Sequence, residues 1–166
     1  MLTLFFHIAI YKLEADKKLT SEGITNIIKS KISDDKIVCL IQRGIERHFQ
    51  QDYISSISSI HVLVPQIEAV LRLILQSENL IVTKEERDAL MYKELGGLLE
   101  MKELSKVYTD DFIEYLRTLL TDIDGMNLRN KLSHGLLEVD DFIHENSFLI
   151  INVLLLLVTK KLDCCL

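Results

Sequence analysis

Tryptophan is absent from this 166-residue sequence, which also has a single proline, three cysteines and six glycines. So little Pro and Gly excludes a collagen-like or low-complexity chain. Three cysteines cannot build a disulfide framework, because one is always left over. A reducing, cytoplasmic setting is therefore expected. Basic residues are also in the minority: 19 Lys and Arg against 25 Asp and Glu give a net charge of −6. That excludes a uniformly basic nucleic-acid sleeve but leaves room for a local cationic site, since phosphate responds to the patch rather than the sum. There is no Gly-rich phosphate loop, nucleophile elbow or zinc spacing, so neither cofactor nor metal is expected.

Long hydrophobic runs are missing too. Phe148 to Val158 is apolar on all sides but carries Asn152 and falls short of the ~20 residues that cross a bilayer. The opening MLTLFFHIAIYKL has no basic leader and no small-residue cleavage site. It reads as a first element packed on the core, and a membrane is not an expected partner. Asp163-Cys164-Cys165-Leu166 is not a prenylation box, since Cys is not fourth from the end.

What is present is helical patterning almost throughout, with no strand alternation strong enough to assign. Thr20 to Gly23 and Asp34-Asp35 read as helix starts, where side-chain oxygens cap free N–H groups. Ile37, Leu40, Ile41, Ile45 and Phe49 fall on one stripe, with Cys39 inside it and Glu46, Arg47 and His48 on a solvated face. A helix over Asp52 to Asn79 is expected to kink or restart at Pro65. Thr83-Lys84-Glu85-Glu86 has capping-box spacing and predicts a helix to Leu104, loosened at Gly96-Gly97. Asp110 to Ile123 predicts another, followed by a turn at Asp124-Gly125. A short helix over Leu128 to His134 is stopped by Gly135. Asp140-Asp141 then caps a long last helix. Such a helix, apolar all round, belongs inside a bundle or an oligomer interface.

The chemistry concentrates in Asn127-Leu128-Arg129-Asn130-Lys131-Leu132-Ser133-His134-Gly135. With Asn127 as N-cap, Arg129 sits in the first turn, where unpaired N–H groups and the helix dipole favour anions. Asn130 and His134, four apart, share a face. Arg129 and His134, five apart, diverge by about 140° on a regular helix. Arg forks onto phosphate oxygens, and His moves protons near neutrality. The same residues also suit plain helix capping.

Arg129-Asn130-Lys131-Leu132-Ser133-His134 resembles the Arg-x4-6-His signature of the HEPN superfamily (higher eukaryotes and prokaryotes nucleotide-binding domains). The wider likeness is to the HEPN branch present in endoplasmic reticulum membrane-associated RNA degradation-like proteins. It runs through His61 to Glu68, Leu71-Arg72, Leu95 to Leu99, Gly125 to Asn130 and Ser133 to Leu136. The resemblance implies an all-α, HEPN-like bundle of four to five core helices. Residues 51–166 would form that domain, with residues 1–50 adding extra N-terminal helices.

The resemblance further implies a metal-independent endoribonuclease whose two copies bring their motifs into one cleft. Arg129 and His134 take the family's catalytic roles, and Asn130 orients His134 or the phosphate. Arg129, Lys131 and Arg72 would bind RNA, with Glu68, His61 and Asn127 behind them. Expected partners are RNA, a second copy of the chain, and an antitoxin or a larger multidomain protein. Leu136 stands where one HEPN subtype has Tyr, so nucleotidylation there is not expected. The alternatives are a non-catalytic RNA-binding or protein-interaction module, and a dimerisation domain with an incidental motif. Asp110-Asp111 and Asp140-Asp141 read as caps rather than metal ligands, and His7 and His144 have no partners at metal-ligand spacing.

Overall fold

The structure is a computed structural model that describes residues 19–86 and 89–159, together with Lys12 and Asp16. The readings made for the apolar start, His7 and the terminal cysteines lie outside the described residues. In chain order the elements are α1 (Ser21–Lys29), α2 (Asp35–His48), α3 (Tyr53–Ser77), β1 (Thr83–Glu86), β2 (Ala89–Tyr92), α4 (Leu95–Leu99), a 3-10 turn (Lys102–Lys106), α5 (Asp110–Leu120), α6 (Leu128–Ser133), a second 3-10 turn (Val139–Asp141) and α7 (His144–Thr159). The expected all-α bundle is present, with one small hairpin added to it.

Helix α3 is the spine. It packs most extensively against α2 and α7 and also meets α4 and α6. Asp52 starts it by accepting the Ser55 N–H. The chain does not restart at Pro65; one helix runs through it. An interior proline costs about 3 kcal/mol. Burial of Ile60, Leu63, Val64, Ile67, Val70, Leu71 and Leu75 on both sides of Pro65 outweighs that, at roughly 1.5–3 kcal/mol per large side chain. By length and composition α3 is also apolar enough to cross a membrane, but its buried face is the centre of this core.

Two caps are as expected. Thr20 Oγ1 accepts the Gly23 N–H, and Asp34 accepts those of Lys36 and Ile37. Helix α2 is rotated from the expected stripe: Val38, Ile41, Gly44, Ile45 and His48 are buried, while Leu40 and Cys39 are exposed. The reason is close approach to α3. A Cβ on Gly44 would fall 2.4 Å from Leu63 Cδ2, so the glycine side is the one that faces inward.

Two other expectations are corrected. Thr83 to Glu86 is a strand paired antiparallel with Ala89 to Tyr92, not a capped helix. Residues 83–92 carry no apolar face at helical spacing, so a helix there has nothing to bury. Asp140-Asp141 form a 3-10 turn with Glu138, whose N–H donates to Asp141, and α7 begins only at His144. Helix α7 takes one of its two expected places, inside the bundle, with Ile150, Ile151, Val153, Leu154 and Leu157 fully covered. Its polar break is satisfied, since Asn152 hydrogen-bonds Tyr115. Burial pushes the Tyr115 phenol up, and it pushes the Tyr108 phenol up strongly. Tyr108 donates to the Leu157 carbonyl at 2.8 Å.

Candidate functional site

The site is built where α6 crosses α3. The chain leaves α5 through a tight turn in which Met126 N–H bonds the Thr118 carbonyl at 2.9 Å. Only glycine fits at position 125, because a Cβ would lie 2.0 Å from that carbonyl oxygen. Asn127 then enters α6 in the left-handed region, φ 53°, which Asn tolerates better than most residues. Its side chain makes no cap bond, and its Oδ1 is buried without a partner. The expected capping by Asn127 is therefore corrected to a turn role. Leu128 anchors the helix in the core. Gly135 at φ 66° ends it, with Leu136 N–H reaching back to the Lys131 carbonyl, the double-bonded glycine stop.

This anchoring presents Arg129 to α3. Arg129 Nη2 lies 3.3 Å from Glu68 Oε2, and Glu68 Oε1 accepts from Arg72 Nη2 at 2.6 Å. One carboxylate thus bridges two guanidinium groups, all three side chains being about one-fifth exposed. Arg129 Nη1 also donates to Asn130 Oδ1 at 3.2 Å, while Asn130 Nδ2 donates to the Thr121 carbonyl at 3.1 Å. Asn130 therefore orients Arg129, not His134. A second acid, Glu94, stands 3.8 Å from Arg129 Nη2 and is mostly exposed. With one Glu shared by two Arg, the buried part of the cluster keeps a net positive charge.

An open pocket of about 480 Å³ lies beside Arg129, between α4, α5 and the start of α6. Its walls include Arg129, Asn130, Glu94, Leu99, Arg117 and Asp122. Arg117 is committed there, donating from Nε and Nη2 to the Leu99 carbonyl at 3.2 and 2.6 Å.

The other expected residues do not gather at this pocket. His134 follows the last residue of α6 as its C-cap, is exposed, and is not in the pocket wall. Its ring has no hydrogen-bond partner among the described residues. His61 is exposed, donates to the Ile57 carbonyl and stacks on Phe142 at 5.3 Å between ring centroids, so it does not join Glu68. Lys131 is half-buried and its ammonium makes no ion pair among the described residues. No group of three or more metal-ligating side chains occurs among the described residues.

Sequence reasoning missed Glu94, Tyr92 and Arg117, which enter the site through a hairpin and a helix whose positions no local pattern announces. It also missed His48. That side chain is fully buried, stacked on His144 at 4.0 Å, with Nδ1 2.9 Å from Ser147 Oγ, which donates to Ser59 Oγ at 2.7 Å. Its spacing of three and seven from Ile45 and Ile41 was the available signal. No protein-family model, curated protein or solved structure matches the chain.

Proposed function

We propose that this chain is a metal-independent endoribonuclease of HEPN type, with a composite site contributed by two copies. The observation that carries the reading is Arg129, fixed in the first turn of α6 by Glu68 and Asn130 at the wall of an open pocket. A guanidinium held from behind by a carboxylate is preorganised for phosphate, and its orientation costs nothing at the moment of reaction. Glu94, loosely placed and exposed, is the partner that an incoming phosphate displaces.

In the reaction the RNA 2′-hydroxyl attacks its neighbouring phosphorus. A new 2′-O–P bond forms and the P–O5′ bond breaks, leaving a 2′,3′-cyclic phosphate and a 5′-hydroxyl. One imidazole takes the 2′-proton, and a water molecule gives a proton to the departing oxygen. His134 stands at the far end of α6 from Arg129, so a second copy is the natural source of the imidazole that meets this phosphate. Exposed apolar side chains flank α6 on both sides, with Ile123 84%, Leu136 64% and Val139 68% exposed, and a second copy would cover them. These exposed side chains, rather than the buried α7, are the argument for a dimer.

The alternative, a binding module that holds RNA without cutting, is favoured by the same distance of His134 from the pocket. Incubation of the purified protein with single-stranded RNA in EDTA separates the two. Cleavage is expected in the wild type, with a loss of roughly 10²–10⁴-fold in His134→Ala at unchanged melting temperature. Arg129→Lys keeps charge without the planar fork and should bind yet cleave poorly. Wild-type rates in a folded His134→Ala protein, or strict Mg²⁺ dependence, overturn the catalytic reading.

A further inference from the structure

We propose that Tyr92 is the stacking platform for an unpaired RNA base next to the phosphate held by Arg129. This rests on the ribonuclease reading and names how the same site takes its substrate.

Three consecutive residues run along the two arginines. The Tyr92 ring lies over the Arg72 guanidinium, 5.0 Å from Cζ to ring centroid. The Lys93 carbonyl accepts from Arg72 Nη2 at 3.2 Å, and Glu94 reaches Arg129. Lys93 is itself tied back to the strand entry, its N–H to the Val82 carbonyl at 2.8 Å and its ammonium to the Ile81 carbonyl at 3.2 Å. Because Glu68 bridges Arg72 and Arg129, the ring stands one shared carboxylate away from the phosphate-binding cation.

The rest of the ring faces water. Tyr92 is 60% exposed, and every described residue of β2 is exposed. A large aromatic side chain on a solvent-facing hairpin buries little, so core packing does not explain it. What remains is a ring with one face fixed on a cation and much of its surface open. Aromatic rings of this kind hold single-stranded bases by stacking, tolerant of sequence because every base has a π-face. The cations select the occupant: Arg72 behind the ring and Arg129 beside it match a phosphate-bearing strand, whereas a neutral apolar partner leaves them unengaged. A base inside a duplex is already stacked on its neighbours and cannot use the ring.

The test is binding of a fluorescent, 2′-O-methylated single-stranded RNA, which cannot be cut, by the full chain. Wild type, Tyr92→Phe, Tyr92→Leu and Tyr92→Ala are compared, with the matching duplex as a second ligand. Tyr92→Phe should bind within about twofold of wild type, and Tyr92→Leu and Tyr92→Ala should weaken binding roughly 5- to 100-fold, the range for one base–aromatic stack. Melting temperatures should stay close to wild type, since the hairpin lies outside the core. Duplex should bind more weakly than single strand in the wild type and equally in Tyr92→Ala. Wild-type affinity in Tyr92→Ala, full rescue by Tyr92→Leu, or equal affinity of wild type for duplex and single strand overturns the stacking role and leaves the ribonuclease reading standing. Failure of the wild type to bind single-stranded RNA overturns both.

Discussion

Two polar clusters hang on α3, and they are opposites. Near its start, Ser59 joins Ser147 and His48 in a fully buried chain of hydrogen bonds. Further along, Glu68 and Arg72 join Arg129 in an ionic cluster that remains one-fifth exposed and opens on a pocket. The first is built from two serine hydroxyls and an imidazole, polar groups whose burial costs little once they are hydrogen-bonded. The second uses formal charges, which are costly to bury unless they are paired and hydrogen-bonded. The contrast separates a polar group sealed between helices from one that opens on a pocket.

The largest effect expected from breaking this contrast is at Glu68. Glu68→Ala removes the shared acceptor of two guanidinium groups and should cost roughly 1.5–3 kcal/mol of stability. It should also lower RNA cleavage, because Arg129 loses its orientation; chemical denaturation and single-turnover cleavage on one preparation check both. Ser147→Ala, in the sealed cluster, should cost about 1–3 kcal/mol by stranding Ser59 and one bond of His48. Cleavage per folded molecule should be unchanged, so a selective loss of activity would erase the distinction between the clusters. Gly44→Ala should destabilise by about 1–3 kcal/mol through overlap with Leu63, again without a catalytic effect, as read by denaturant midpoint. The smallest effect is at Glu94, the exposed partner of Arg129 that the ribonuclease proposal has phosphate displace. Glu94→Gln should tighten RNA binding by roughly two- to fivefold, the scale of one exposed ion pair, and the gain should shrink in high salt. Weaker binding in that variant would show that Glu94 supports the substrate rather than opposing it.

Local chemistry was readable where it acts within one or two turns. The caps of Thr20 and Asp34, the Asp124-Gly125 turn and the Gly135 stop follow from a few side chains and their nearest backbone, and each is where the sequence points. The pairing of Glu68 with Arg72 is likewise an i,i+4 relation. The joining of that pair to Arg129, 61 residues away, needs two helices to cross, and no spacing encodes a crossing. The hairpin was illegible for a related reason. Its strands bury almost nothing, so the alternation that marks a half-buried strand is absent. The chain does not restart at Pro65 because the proline's penalty is local, while the burial that outweighs it is summed over the whole of α3.

By itself the sequence determined that the chain is a helical bundle, where many of its helices begin and end, and that Arg129 opens a short helix. Those follow from periodicity, capping and glycine, all short-range. Only the tertiary structure decided which face of α2 turns inward, that His48 is sealed, and that Arg129 shares a carboxylate with Arg72 under Tyr92. It also set His134 at the end of α6, outside the pocket. These depend on how close two helices approach, and that is set by the joint volumes of side chains far apart in sequence, Gly44 against Leu63 being the plainest case.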